Sequence, residues 1–237
     1  MNLISAQDPG KYIVAGSRRY LLLATAGCIA LVAFLLVDYE YAAAAAKIVA
    51  STSFLAVAIR AGALRSDFGR IVFLGLAFSW FGDAFLIGES KVAFLAGLVT
   101  FLLAHIAYIA AFIVRGISMR WALLAIVPVA ALGITVSLWL RPHVPPELVV
   151  PVRVYTAVIC LMVTAAFGTR GRGASGLILA GALMFFLSDL SVAALRLVET
   201  DFPTYVWGLP LYYAGQILLA LSTSQSAPDS SVTLQAS

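Results

Sequence analysis

Charge is what this sequence has least of. Only 11% of its 237 residues are Asp, Glu, Lys or Arg, while 62% are hydrophobic. A soluble domain carries about 25% charged residues, so a water-soluble fold is excluded and the chain reads as an integral membrane protein. The net charge of +4 does not point to nucleic acid, because the basic residues lie scattered between apolar runs rather than gathered on a patch. Ligand-type residues are nearly absent too. The two histidines, His105 and His143, cannot supply a three-histidine zinc site. Cys28 and Cys160 each sit alone in an apolar run, so neither a disulfide nor a cysteine metal site is expected. No G-x-S-x-G sequence occurs, which argues against a nucleophile elbow. No metal and no soluble cofactor are expected.

What is present is apolar length. Eight runs can be drawn, at 20–37, 42–59, 71–87, 92–114, 121–140, 149–167, 174–195 and 204–221. Each approaches the roughly 20 residues that a helix needs to cross the hydrocarbon. Their apolarity is continuous rather than alternating, which selects helices over a barrel. The fold class read from this is all-α, a polytopic membrane protein with eight transmembrane helices. The first run follows Lys11, Arg18 and Arg19 and lacks a small-residue cleavage site, so it reads as a retained helix rather than a signal peptide.

Loop charges orient the bundle. With the N-terminus inside, the inner segments hold Lys11, Arg18, Arg19, Arg60, Arg65, Arg70, Arg115, Arg120, Arg170 and Arg172, and the outer ones only Lys91, Arg141, Arg153 and Arg196. That bias predicts both termini in the cytoplasm and a multi-pass protein of a bacterial inner membrane or its equivalent. Residues 1–19 then form a cytoplasmic segment, 20–221 the transmembrane domain, and the Ser-rich stretch 222–237 a disordered tail.

Against this background two carboxylates stand out. Asp83 lies in FSWFGDAFLI and Asp189 in FFLSDLSVAA. A charge in a lipid-embedded helix is disfavoured by about 3 kcal/mol on insertion scales, and intramembrane ionisable residues are functional by default. Other polar residues gather at similar depth. Lys47 and Ser51 are four apart in the second run, as are Ser79 and Asp83 in the third and Tyr212 and Gln216 in the eighth. Gly97, Phe101, His105 and Tyr108 fall on one face of the fourth helix. Arg153 and Tyr155 open the sixth run, and Gly181, Phe185, Ser188 and Asp189 share the seventh. Singly these have ordinary readings. Lys47 can snorkel, Ser51, Ser79 and Ser188 can bond a carbonyl one turn back, and Gly97 and Gly181 can admit a close helix. Together they imply a polar cavity toward the outer leaflet. The first and fifth runs carry no charge and no histidine, so they belong at the periphery.

Two carboxylates in a dry site can hold one proton between them, giving one acid and one base. That suits hydrolysis, in which one group protonates the substrate and the other activates water. It suits a proton-coupled transporter of lipids or small molecules equally well. A lipid-binding scaffold with a structural Asp–Lys network is a third reading.

The constellation resembles the lysoplasmalogenase (YhhN-like) family of eight-helix membrane proteins. The resemblance rests on Gly82-Asp83, on Phe94, Gly97, Phe101, His105 and Tyr108 in F-x2-G-x3-F-x3-H-x2-Y, and on Lys47 and Tyr155. It closes with GALMFFLSD from Gly181 to Asp189 and with Tyr212, Tyr213 and Gln216 in Y-Y-x-x-Q. The family often has Pro after the second-helix Lys; Ile48 stands there here. The resemblance implies hydrolysis of the sn-1 vinyl ether of a lysoplasmalogen to a fatty aldehyde and glycerophospho-ethanolamine or -choline. Asp83 and Asp189 are then the catalytic pair. Lys47, His105, Tyr108, Tyr155, Ser188, Tyr212 and Gln216 would bind and orient substrate and water, with Lys47 either pairing with a carboxylate or meeting the phosphate. The implied partners are a lysophospholipid substrate and membrane lipids, with no nucleic acid.

Overall fold

The computed structural model describes residues 9–88, 90–198 and 200–224. It is all-helical, with no strand among the described residues. Its elements are α1 (Pro9–Leu36), α2 (Glu40–Ala61), α3 (Asp67–Phe85), α4 (Lys91–Arg115), α5 (Met119–Leu140), α6 (Val149–Arg170), α7 (Gly176–Ala193) and α8 (Tyr205–Ser222). A π-helical turn, Ala194–Val198, extends α7.

Local sequence fixes where these helices start and stop. Ser66 and Ser90 begin α3 and α4, each hydroxyl accepting a backbone N–H three residues on, from Gly69 and Ala93 at 3.1 Å. Ser175 begins α7 by accepting from Leu177 N–H at 3.2 Å. These bonds satisfy donors that a helix start otherwise leaves orphaned. Gly62 ends α2 at φ +92°, a left-handed conformation that favours a residue without Cβ.

Short links make sequence neighbours antiparallel, and α1–α2, α3–α4, α5–α6 and α7–α8 pack as hairpins. Further contacts run α2–α3, α4–α6, α6–α7 and α8–α2. Helices α2, α3, α4, α6, α7 and α8 therefore close a ring. α1 lies outside it against α2 and α8, and α5 outside it against α6. The six ring helices are those in which the sequence places its polar residues.

Among the described residues, seven helices are long and apolar enough to cross a membrane. α8 is not among them, because Pro210, Tyr212, Tyr213 and Gln216 dilute its apolar content. The outer surface is apolar: on α5, Leu124 is 73% exposed and Val127 72%. Such a surface belongs against hydrocarbon, and the chain is an integral, multi-pass membrane protein. One boundary differs from the hydropathy reading. α1 starts at Pro9, not near Tyr20. Arg18 and Arg19 end the apolar run but not the helix, and Arg19 donates to the Tyr20 hydroxyl at 2.8 Å. Long basic side chains reach an interface from within a helix. The tail beyond Ser224 lies outside the described residues.

The α7–α8 hairpin is held closely. Gly181 and Gly215 face each other so that a Cβ on either lies 3.0 Å from the other's carbonyl oxygen. Buried Ser191 and Thr204 each donate a hydroxyl to the other's carbonyl at 2.7 Å. Gly181→Leu should therefore destabilise the bundle by about 1–3 kcal/mol through overpacking, read as a lower thermal unfolding midpoint in detergent. An unchanged midpoint would show that the hairpin can separate freely.

Candidate functional site

A cavity of about 550 Å³ opens at one end of the ring. Its wall uses the C-terminal ends of α3 and α7 and the N-terminal halves of α2, α4, α6 and α8, which the antiparallel arrangement brings to the same end. Most of the wall is apolar, including Leu86, Phe94, Leu98, Phe101, Leu140 and Phe186. The polar lining comes from Lys47, Asp83, Tyr155, Ser188, Asp189, Arg196 and Tyr212, among a few others.

Asp83 is buried. Its Oδ2 accepts two hydroxyl bonds, from Ser51 at 2.6 Å and Tyr212 at 2.7 Å. The Tyr213 hydroxyl lies 3.2 Å from Ser51 Oγ, so it can donate to the oxygen whose own proton goes to Asp83. One carboxylate oxygen thus ties α3 to α2 and α8. Lys47, half-buried on the same wall, lies within Coulombic range of Asp83. It makes no ion pair within 4 Å among the described residues, so of the two alternatives for Lys47 the direct pair with a carboxylate does not form. Lys47 leaves α2 one turn before Ser51, and it is Ser51 that occupies the carboxylate.

Asp189 has a separate set of partners. Its Oδ2 accepts the Tyr155 hydroxyl at 2.8 Å, and His105 Nε2 lies 3.6 Å from the same oxygen, too far for a hydrogen bond. His105 is fully buried, and neither ring nitrogen has a protein partner. The imidazole is wedged edge-on against Tyr155 and Phe185, at centroid distances of 5.2 and 4.6 Å. The Asp189 side chain is 18% exposed, which makes it the more open of the two carboxylates. No hydrogen bond joins it to Asp83. The Phe185 ring stands between their partners, packed on His105 on one side and on Tyr212 at 5.5 Å on the other.

The remaining predicted residues divide by depth. Ser188 borders the cavity, but its hydroxyl bonds the Phe185 carbonyl at 2.8 Å. Tyr108 and Gln216 lie farther from the open end and off the cavity wall. The Tyr108 hydroxyl donates to Gln216 Oε1 at 2.7 Å, tying α4 to α8. Ser79 Oγ is buried without a partner. Ser51 and Tyr213, noted in the sequence but given no role there, serve Asp83, and Arg196 enters the site unanticipated. The i, i+4 spacing of Lys47 and Ser51 and the paired tyrosines were the available signals for the first two.

The sequence profile of the YhhN family matches residues 42–223. The bovine (Bos taurus) protein "Lysoplasmalogenase TMEM86A" is 34% identical over 164 residues, and its human (Homo sapiens) counterpart 36% identical over 167. Each match covers 65% of this chain and 65% of the relative. The pig (Sus scrofa) protein "Lysoplasmalogenase TMEM86B" is 34% identical over 147 residues, covering 61% of this chain and 59% of its own. The chain thus spans less than two thirds of the length of these relatives. No solved structure matches.

The two carboxylates should respond differently to loss of a hydroxyl donor. Tyr212→Phe removes one of two donors from the more buried carboxylate, only 3% exposed, and should destabilise the protein by about 1–3 kcal/mol. Tyr155→Phe acts on the carboxylate that is open to the cavity, where water can replace the lost donor, and should destabilise less. Thermal unfolding of both variants in one detergent decides this; equal losses would contradict the difference in enclosure.

Proposed function

The chain belongs to the YhhN family, and from that premise we propose that it hydrolyses the sn-1 vinyl ether of lysoplasmalogens, releasing a fatty aldehyde and glycerophospho-ethanolamine or -choline. Relatives named lysoplasmalogenase support this reading. The observation that carries it is the cavity itself, a mainly apolar chamber with Asp83 and Asp189 on one wall system, each held by hydroxyl donors.

The chemistry follows from the substrate. A vinyl ether resists base and yields to acid, because a proton added at its β-carbon leaves an oxocarbenium ion stabilised by the ether oxygen. Water adds to the cationic carbon and gives up a proton, forming a hemiacetal. The hemiacetal collapses, its hydroxyl proton passing to the departing glycerol oxygen. The reaction needs one acid and one carboxylate that both faces the cation and accepts the water proton. It needs no nucleophilic serine.

Within this scheme Asp189, the more exposed carboxyl, is the proton donor to carbon. Asp83, with two hydroxyl donors on one oxygen and Lys47 nearby, is the carboxylate that faces the cation and takes the proton from water. Tyr155 and Tyr212 hold the two carboxyl groups in place, and His105 fixes the Asp189 side of the pocket. Ser188, Tyr108 and Gln216 support the wall behind them. The topology proposed with this function has eight spans, α8 included, with both termini cytoplasmic and the cavity toward the outer leaflet, on the Lys/Arg bias. The transporter alternative requires a path to both membrane faces. The relatives named lysoplasmalogenase favour an enzyme instead.

Hydrolysis in deuterated water tests the carbon-protonation step. The released aldehyde should carry one deuterium on the carbon next to its carbonyl, seen by mass spectrometry after rapid trapping as a hydrazone. An aldehyde without it would rule the step out. In the same assay Asp83→Asn and Asp189→Asn should each lower kcat at least about 100-fold, the scale of one acid–base group. Full turnover by either folded variant would remove that residue from the pair.

A further inference from the structure

Two cations share the cavity with the two carboxylates. Lys47 reaches it from α2, and Arg196 from the π-helical turn Ala194–Val198 that follows α7. π turns interrupt regular helices mostly at functional sites. Arg196 lies seven residues beyond Asp189, about two turns or 10 Å along the same helical stripe. Its guanidinium is steadied over the Phe94 ring at 5.8 Å from the centroid, and Phe94 is itself part of the wall. Lys47 and Arg196 lie within Coulombic range of each other.

Neither cation has a carboxylate within 4 Å among the described residues. Among the described residues only Lys91, with Glu147 at 2.8 Å, and Arg70, with Asp67 at 3.3 Å, pair with a carboxylate; what sets Lys47 and Arg196 apart is that both reach one cavity. Like charges converging on a cavity with apolar walls repel, and an anion between them converts that repulsion into attraction. Guanidinium suits phosphate in particular, because its planar fork can hold two oxygens at once.

We propose that Lys47 and Arg196 form a phosphate clamp at the cavity mouth, which holds the head-group phosphodiester of a single-chain lysophospholipid and so positions its sn-1 oxygen at the carboxylates. This orientation rests on the vinyl-ether reading; the phosphate site itself does not. The glycerol backbone links the sn-1 oxygen to the phosphate, and the Asp189-to-Arg196 stripe runs the same way, from reaction centre to mouth. The hydrocarbon chain is left with the apolar walls. Neutral alkenylglycerols, which share the reactive bond but lack phosphate, are discriminated against at this point.

The test uses unreactive ligands, so it does not depend on turnover. Purified protein in nanodiscs is titrated with radiolabelled 1-O-alkyl-lysophosphocholine and with 1-O-alkylglycerol of the same chain length. Wild type should bind the phospholipid at least about tenfold more tightly, the scale of one charge-assisted hydrogen bond. Arg196→Gln and Lys47→Gln should each remove about that factor for the phospholipid and leave the alkylglycerol affinity in place. Arg196→Lys, which keeps the charge, should restore part of it. Equal wild-type affinity for the two ligands would overturn the clamp, as would unchanged phospholipid affinity in Arg196→Gln, a surface substitution that leaves the fold intact. Inorganic phosphate that competes as well as the lysophospholipid would reassign the site to a free anion and overturn the head-group assignment. A phosphate-dependent difference in a protein that leaves vinyl ethers intact would keep the clamp and remove the reaction.

Discussion

The bundle depends on how a carboxylate is accommodated where water is scarce. An enclosed carboxylate must find hydrogen-bond donors in the protein. Asp83 finds them on two other helices, Ser51 on α2 and Tyr212 on α8. The Tyr212 bond spans 129 residues of sequence, and the two bonds together join the first and last helices of the ring at one oxygen atom. The same bonds that satisfy Asp83 therefore close the ring. Packing alone gives less directional preference in a membrane, since lipid tails are as apolar as helix surfaces.

Asp189 does the corresponding work on the other side, drawing Tyr155 of α6 to α7 with His105 of α4 behind it. Phe185, one turn before Asp189, fills the space between the two sets. Its ring touches Phe101, His105, Tyr108 and Tyr212 edge-on. Each carboxylate thus has its own fixed donors and its own exposure to the cavity. A pair that merely shared a proton in contact would be interchangeable. Two carboxylates with unlike surroundings are already distinguished before substrate arrives, which is what the proposed division into one acid and one base requires.

Much of this was legible from the residues. Continuous apolarity located all eight helices, and polar content separated the ring from α1 and α5. The three-and-four spacing of Gly97, Phe101, His105 and Tyr108 identified a face that is buried throughout. Asp83 and Asp189 were conspicuous because charge is so rare. What was not legible depends on contacts between helices. A helix serine by default bonds a carbonyl of its own helix, as Ser188 and Ser53 do; only the approach of α3 turns Ser51 outward to Asp83. Arg196 reads as a loop charge because hydropathy does not reveal a π turn. The start of α1 was misplaced because hydropathy marks where apolarity ends, while the helix continues through Arg18 and Arg19.

α8 shows how site and scaffold compete. The residues that serve the carboxylates and the Tyr108 pair, Tyr212, Tyr213 and Gln216, are those that dilute its apolar content, and it is not among the helices apolar and long enough to cross a membrane. Its place is therefore helped by its neighbours. The neighbours are specific ones: facing glycines at 181 and 215, the reciprocal Ser191–Thr204 bonds, and contacts with α1 and α2. Once seated, Tyr213, Tyr212 and the Gln216 carbonyl oxygen are bonded to α2, α3 and α4, which precede it in the chain. The last helix thus completes both the ring and the cavity wall in one step. A bundle lacking it would leave Asp83 with Ser51 but without Tyr212, and the cavity without a side.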